Sequence, residues 1–497
     1  MFNVKSDLTM EKHNFINRRE FLRRLGLGSA VVGAGVALQS CTGGAVKPLD
    51  VIGDFDPSGS PFSEDQLGEM TYRINPFTGD KVSILGYGMM RLPQILGKNL
   101  GPGENSIDQE QTNKLVKYAL DHGVNYFDTS PAYGKGFSEL ATGTALKQSG
   151  YPRNSYYIAT KMSNFAPQDW TTKASQDMFH RSLKFLQTDY IDYLLLHSIG
   201  GTARDGGKEL DAIETFNKRF MENGILDWLV EQKKKGVIRN LGFSFHGDVK
   251  VFDMAMKWHD EGRYHFDFAQ IQMNYVDWLH AKEQNSRNVN AEYLYTELNK
   301  RGIPAVIMEP LLGGRLSRLP NHVIAHFKSR EPQMSSASWA FRFCGHYDGV
   351  LTALSGMTYM EHLQDNLRTY SPMKPLTDED LDYLEEAAQL ILKYPLIPCN
   401  DCNYCMPCPY GLDIPAIFVH YNKCVNEGSL PAGEEDPNYA KLRRDYLISY
   451  DRAVPRLRQA DHCVGCNQCE PHCPQNIRIS RQMERINKFV EDLKQNA

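Results

Sequence analysis

The chain has 497 residues, with 55 Lys and Arg against 60 Asp and Glu and a formal charge of −5. That length has room for two or three domains. The charge excludes the large basic surface that nucleic acid or anionic lipid would require, so no nucleic-acid partner is expected.

The N-terminus reads as an export signal. Arg18 and Arg19 are followed by Phe21 and Leu22, two more arginines, and the apolar run "LGLGSAVVGAGVAL". That run is shorter than the ~20 residues a membrane span needs. Charged flank, apolar run and small-residue exit, in that order, mark a signal over 1–41. The pattern resembles twin-arginine signals, which carry proteins across the membrane already folded and loaded with cofactor. The run ends in "LQSC", which resembles a lipoprotein cleavage box with Cys41 as the lipid anchor. Ordinary cleavage nearby is the other reading. The Gly/Pro/Asp/Ser-rich stretch 42–69 reads as a linker.

Between 70 and 376, short apolar runs alternate with helical patterns. The runs are "VSILGYG", "NYFDTS", "YYIATK", "DYLLLH", "IRNLGFS", "FAQIQMN", "AVIMEP" and "GVLTALSG". In "NKLVKYALDHG", Leu115, Val116, Ala119 and Leu120 share a stripe, and Gly123 stops the helix. Eight strands with intervening helices over ~300 residues predict an α/β fold, the (β/α)8 TIM barrel. An open doubly wound sheet is the alternative, but no G-x-G-x-x-G follows the first strand. The long segment after His197, residues 198–224, is the expected lid, with a Gly-rich and mobile first half.

In such a barrel, chemistry sits at the C-terminal strand ends. Asp128, Lys161 and His197 end three of the runs, and Tyr133 lies in the loop after Asp128. A tyrosine can protonate a carbonyl oxygen if a lysine ammonium lowers its pKa and an aspartate holds the lysine. A histidine can orient the carbonyl.

These residues carry a resemblance. "GVNYFDTSPAYGKGFSE", "IATKM", "DYIDYLLLHS" and "KKGVIRNLGFSFHG", with the hairpin "MTYRINPFTGDKVSILGYGMMRL", resemble the aldo/keto reductase family over the whole barrel. The resemblance implies a catalytic tetrad of Asp128, Tyr133, Lys161 and His197, with Tyr133 as acid/base. It also implies a nicotinamide cofactor held without a Rossmann motif. Its carboxamide contacts would be Ser244 and Gln270, with Phe245 in place of the usual Asn. Asp365 and Asn366 match the adenine contacts. Met308 stands where an aromatic ring usually stacks on the nicotinamide. Gly356 and His362 stand where Lys and Arg usually grip the 2′-phosphate, which weakens the case for NADP and leaves NAD, or no tightly bound dinucleotide, open.

Eight of the eleven cysteines fall in two groups near the C-terminus. The first is Cys399, Cys402, Cys405 and Cys408, and the second is Cys463, Cys466, Cys469 and Cys473. The second has the spacing of bacterial ferredoxins, in which the fourth cysteine ligates the other cluster. That resemblance assigns Cys399, Cys402, Cys405 and Cys473 to one [4Fe–4S] cluster, and Cys463, Cys466, Cys469 and Cys408 to a second. Zinc would use two pairs rather than two runs of four, and cysteines two residues apart pair poorly as disulfides. A single cluster is the remaining alternative, because the first group has two residues rather than three before its last cysteine. The flanks "DEDLDYLEEAAQLILKY" and "RISRQMERINKFVEDLK" have helical periodicity, so 377–497 reads as a mainly helical iron–sulfur domain. A barrel joined to such motifs is similar to a known subgroup of the family.

The two halves pull in different directions. Hydride transfer moves two electrons together, a [4Fe–4S] cluster moves one, and no flavin fingerprint is present. Three readings follow. The first is an exported oxidoreductase acting on a small-molecule carbonyl or sugar, with a trapped nicotinamide cofactor and clusters passing electrons to a redox partner protein or quinone. In the second the clusters are structural. In the third the barrel is a scaffold for an electron carrier. An intact tetrad favours the first.

Overall fold

The computed structural model describes residues 67–95, 104–284, 288–392, 396–431 and 438–495. The Arg18-Arg19 export motif, the lipid-anchor reading of Cys41 and nearly all of the 42–69 linker lie outside the described residues.

The described chain opens with a hairpin, β1 (Tyr72–Ile74) antiparallel to β2 (Lys81–Ser83). Asn75 turns it, its Oδ1 accepting from the Phe77 N–H at 2.9 Å. The other end of that amide donates to Tyr193 Oη at 3.2 Å and Asn240 Oδ1 at 3.3 Å, so the hairpin closes the base of the barrel.

The barrel strands follow: β3 (Leu85–Gly88), β4 (Tyr126–Asp128), β5 (Tyr157–Met162) and β6 (Ile191–Leu196). A small hairpin, β7 (Ala203–Asp205) and β8 (Lys208–Leu210), intervenes before β9 (Ile238–Ser244), β10 (Ala269–Gln272), β11 (Ala305–Met308) and β12 (Val350–Ser355). All barrel pairings are parallel, and β12 pairs with β3 to close the ring. The predicted (β/α)8 barrel is therefore the observed one.

Strands covered by helices outside and packed inside should be continuously apolar, and β6 is buried at every position. Inside the ring, Tyr193 meets Tyr126 and Phe268 at 5.0 Å each, flanked by Val82, Ala159, Leu195 and Val306. Fully burying one large apolar side chain is worth ~1.5–3 kcal/mol. The helix Gln109–Asp121 shows how the outer layer forms. Asp108 caps its start by accepting from the Gln111 N–H, and Leu115, Val116, Ala119 and Leu120 form its buried face. Gly123 follows at φ 85°, where a Cβ would come within 2.7 Å of Tyr72 Oη.

The expected lid, 198–224, is more ordered than its glycines suggest. It holds β7 and β8, the helix Ala212–Phe216 with an Asp211/Glu214 capping box, and a π-helical turn Asn217–Met221 that buries Arg219 and Phe220.

The C-terminal part is helical, as its periodicity predicts. Helices Ile414–Asn426, Tyr439–Ala453 and Ile479–Gln495 share a core that includes Ile417, Phe418, Tyr446, Tyr450, Met483 and Ile486. The helix Asp378–Leu392 packs on the barrel instead: the Tyr383 ring stacks on His326 at 3.8 Å, and Arg330 pairs with Asp380 at 2.9 Å. Among the described residues no helix is long and apolar enough to cross a membrane.

Candidate functional site

The fold brings Asp128, Tyr133, Lys161 and His197 together at the C-terminal strand ends. Asp128 ends β4, Lys161 lies near the end of β5, His197 follows β6, and Tyr133 opens the short turn Tyr133–Gly136. Lys161 Nζ donates to Asp128 Oδ1 at 2.5 Å and to the Thr129 carbonyl at 2.9 Å. The two side chains are almost fully buried, which raises the Asp128 pKa and lowers that of Lys161. The ammonium sits 4.8 Å from the centre of the Tyr133 ring. His197 meets that ring edge-on at 5.8 Å. Its Nδ1 is engaged by Ser163 Oγ at 2.7 Å, and burial, with the charge of Lys161, holds its pKa well below the usual imidazole value. His197 is therefore neutral.

One expectation is reversed. The lysine should lower the Tyr133 pKa, yet it lies well above the ordinary tyrosine value. Burial is the main cause, followed by Tyr404 and the negative charge of Asp128. No lowering by Lys161 offsets that burial. Tyr133 is held protonated instead of being readied to ionise.

Tyr404 lies between Cys402 and Cys405, and its hydroxyl shares a hydrogen bond with Tyr133. The first cysteine segment thus sits on the barrel mouth. Asn400 Nδ2 donates to Glu309 Oε1 at 2.7 Å. Arg91 donates to the Asn400 carbonyl and lies 3.8 Å from Asp401. Gln475, just past Cys473, donates to Gln272 at 2.9 Å. Glu309, directly after β11, is pushed up to about 7 by burial, against the pull of Arg91. Arg219, from the turn within 198–224, donates to the carbonyls of His197 at 2.6 Å and Ser198 at 2.9 Å, and burial pushes it down to about 9. Glu309 obeys the same strand-end rule that selects Asp128. Nothing in the sequence joins Asn400, Tyr404 or Arg219 to the site.

The residues that the resemblance assigns to a dinucleotide have partners inside the chain. Gln270 Nε2 donates to Asp128 Oδ2 at 3.2 Å, and Ser244 Oγ accepts from the Ser198 N–H at 2.8 Å. Asp365 accepts from Ser335 Oγ at 2.6 Å, and Asn366 donates to Ser355 Oγ at 2.8 Å. Phe245 is a core side chain against Phe252, their rings 5.4 Å apart. Met308 ends β11 beside Glu309. His362 packs against Tyr359 at 5.2 Å, and burial lowers its pKa. Gly356 faces the stem of Arg91, to which a Cβ would come within 3.3 Å.

The cysteines form two adjoining sets. Cys399, Cys402 and Cys405 each have a raised pKa, from burial first and then from neighbouring thiols that include Cys473. Cys469 is pushed up to about 12 by burial, with Cys466 and Cys408 beside it. Cys463 packs on the same helical core. No described cysteine is in a disulfide, and among the described residues no three His, Cys, Asp or Glu side chains converge as they would on a single metal ion. Eight cysteines gathered in two adjoining sets, none of them in a disulfide, give the donor set that iron–sulfur ligation by thiolates requires.

A model of the aldo/keto reductase family matches residues 85–389, and one of the 4Fe-4S dicluster domain matches residues 398–479. Among curated proteins, D-arabinose 1-dehydrogenase of Saccharomyces cerevisiae is 32% identical over 176 residues, 35% of this chain and 45% of the relative. L-galactose dehydrogenase of Arabidopsis thaliana is 34% identical over 123 residues, 24% of this chain and 36% of the relative. The chain thus spans less than half the length of either. Among solved structures, an aldo-keto reductase from Bacillus halodurans in its holo form has a TM-score of 0.48 at 24% identity, covering 64% of this chain and 96% of its own. The family match covers well over half the chain, so the protein belongs to the aldo/keto reductase family and carries a 4Fe-4S domain at its C-terminus.

Proposed function

We propose that this protein is an exported oxidoreductase that interconverts a small-molecule carbonyl and an alcohol, with two [4Fe–4S] clusters serving exchange with a redox partner protein or quinone. The observation that carries the reading is the convergence of four side chains at the barrel mouth, with Lys161 bonded to Asp128 at 2.5 Å and standing 4.8 Å from the centre of the Tyr133 ring, which His197 meets at 5.8 Å. In the reductive direction Tyr133 would give its proton to the carbonyl oxygen while an external electron donor supplies two electrons and solvent a second proton to the carbon, so C=O becomes CH–OH. The reverse direction returns the proton to Tyr133. With Nδ1 engaged by Ser163, Nε2 of His197 is the nitrogen left to orient the carbonyl. Asp128 holds Lys161 in place. The names of the two curated relatives favour a sugar as substrate.

Cys399, Cys402, Cys405 and Cys473 would hold one cluster, and Cys463, Cys466, Cys469 and Cys408 the other. When bound, such clusters supply one-electron transfer. They are assembled in the cytoplasm, which supports export in the folded state through the Arg18-Arg19 signal.

Turnover is tested on anaerobically purified holoprotein with quinones, aldehydes and sugars, an artificial electron donor or acceptor, and product identification. Conversion of at least one member is expected, and none in either direction would count against the reading. Iron analysis should give about eight atoms per chain. Cys463→Ser should remove one of two paramagnetic signals after reduction, whereas about four irons in the wild type would mean one cluster. Replacing Arg18 and Arg19 together with Lys keeps the charge and should abolish export on fractionation; unchanged export excludes the twin-arginine route. Lipid label in the wild type but not in Cys41→Ala would establish the anchor, and an unlabelled wild type would dismiss it.

A further inference from the structure

By the family resemblance, a nicotinamide dinucleotide would run from the ends of β9, β10 and β11 to the loop after β12. Ser244 and Gln270 mark its nicotinamide end, Gly356 and His362 its phosphate end. This chain fills the span between them with its own residues. On one side, Glu309 accepts from Asn400 Nδ2 at 2.7 Å. Beside it, Gly313 is in the left-handed region at φ 71°, and a Cβ there would stand 1.9 Å from Asn400 Cβ, so the two backbones meet with nothing between them. On the other side, the stem of Arg91 lies over Gly356 while its guanidinium reaches the Asn400 carbonyl. Gly356, Arg91, Asn400 and Glu309 therefore make one continuous bridge. At the catalytic end, Tyr404 bonds Tyr133 and its ring lies 6.4 Å from Phe165.

The nicotinamide end also has partners inside the chain. Gln270 is bound to Asp128, and Ser244 holds the Ser198 N–H. At the phosphate end Gly356 and His362 replace the two cations, and Arg91, which lies over Gly356, is engaged with the Asn400 carbonyl. A bound dinucleotide would have to displace Asn400 from Glu309 and Arg91. The residues present do not fit that cofactor.

We propose that the segment Cys399–Tyr404 is the resident occupant of this groove, and that the barrel therefore works without a bound nicotinamide dinucleotide. The inference rests on the oxidoreductase reading only in assuming that a redox cofactor site is at issue. Its test reads binding, not turnover, so the two can fail separately.

Full-length holoprotein, its iron content verified, is titrated with NADH, NADPH, NAD⁺ and NADP⁺ by equilibrium dialysis, and nucleotide released on denaturation is assayed. No released nucleotide and no saturable binding below ~1 mM are expected. One dinucleotide per chain, copurified or bound in the micromolar range, overturns the proposal. Hydrogen exchange then reads the seat itself. NADPH at ~1 mM should leave protection of 309–316 and 399–404 unchanged, and a change confined to those segments would show the groove to be open. Gly313→Ala introduces the clashing Cβ, so it should unseat the segment and raise exchange at 399–404 in the iron-loaded variant. Unaltered protection in that folded variant would refute the contact. If the variant fails to fold, the wild-type titration still decides.

Discussion

Tyr133→Phe is expected to reduce carbonyl reduction or alcohol oxidation by ~10²–10⁴, while iron content, fold and ligand affinity survive. The change removes one hydroxyl. It leaves the ring that Lys161 and His197 face, at 4.8 Å and 5.8 Å. Proton transfer by a placed side chain accounts for the loss, which should fall on kcat rather than KM. His197→Gln should cost less, because His197 is neutral and orients without donating a charge. The pH profile is part of the same test. Burial raises the Tyr133 pKa and lowers that of His197, so across neutral pH the tyrosine stays protonated and the imidazole stays uncharged. The rate should therefore show no limb from either group between them. A variant that matches the wild type on a substrate the wild type converts would remove the tetrad from the chemistry.

The second large effect is on stability. Lys161→Met leaves Asp128 buried and without its ion pair. Breaking a buried pair by removing one partner costs ~3–5 kcal/mol, read from chemical denaturation. The deficit should depend on pH, and its sign follows from Asp128. The Asp128 pKa is already raised with Lys161 in place, and losing the ammonium raises it further. The folded variant then holds a proton that the unfolded chain releases above the ordinary carboxylate range. Its stability falls as pH rises from ~4, by up to ~1.4 kcal/mol per unit, until the folded-state pKa is passed. Asp128→Asn combined with Lys161→Met removes both charges and should recover much of the loss. A single variant as stable as the wild type at pH 8 would mean that the pair is not a buried ion pair.

Sequence alone determined the barrel, the order of the tetrad and the chemistry of the C-terminal segment. These properties are local. The alternation of apolar runs and helical stripes sets the elements, a strand-end position sets which side chain reaches the mouth, and two-residue gaps aim thiolates at one centre. Tertiary structure alone decided what those residues do to one another. Tyr133 and Tyr404 are far apart in sequence, and no periodicity joins them. The direction of the Tyr133 shift reversed because desolvation depends on what packs over the ring, and burial there outweighs the nearby ammonium. Glu309 could be picked out as a strand-end carboxylate, but its partner Asn400 could not. The first half of 198–224 looked mobile from its glycines, and it forms the hairpin β7–β8, while in the second half Arg219 bonds the His197 carbonyl at 2.6 Å. Composition reports how freely a segment can bend, and only the packed fold supplies the buried acceptor that stops it from doing so.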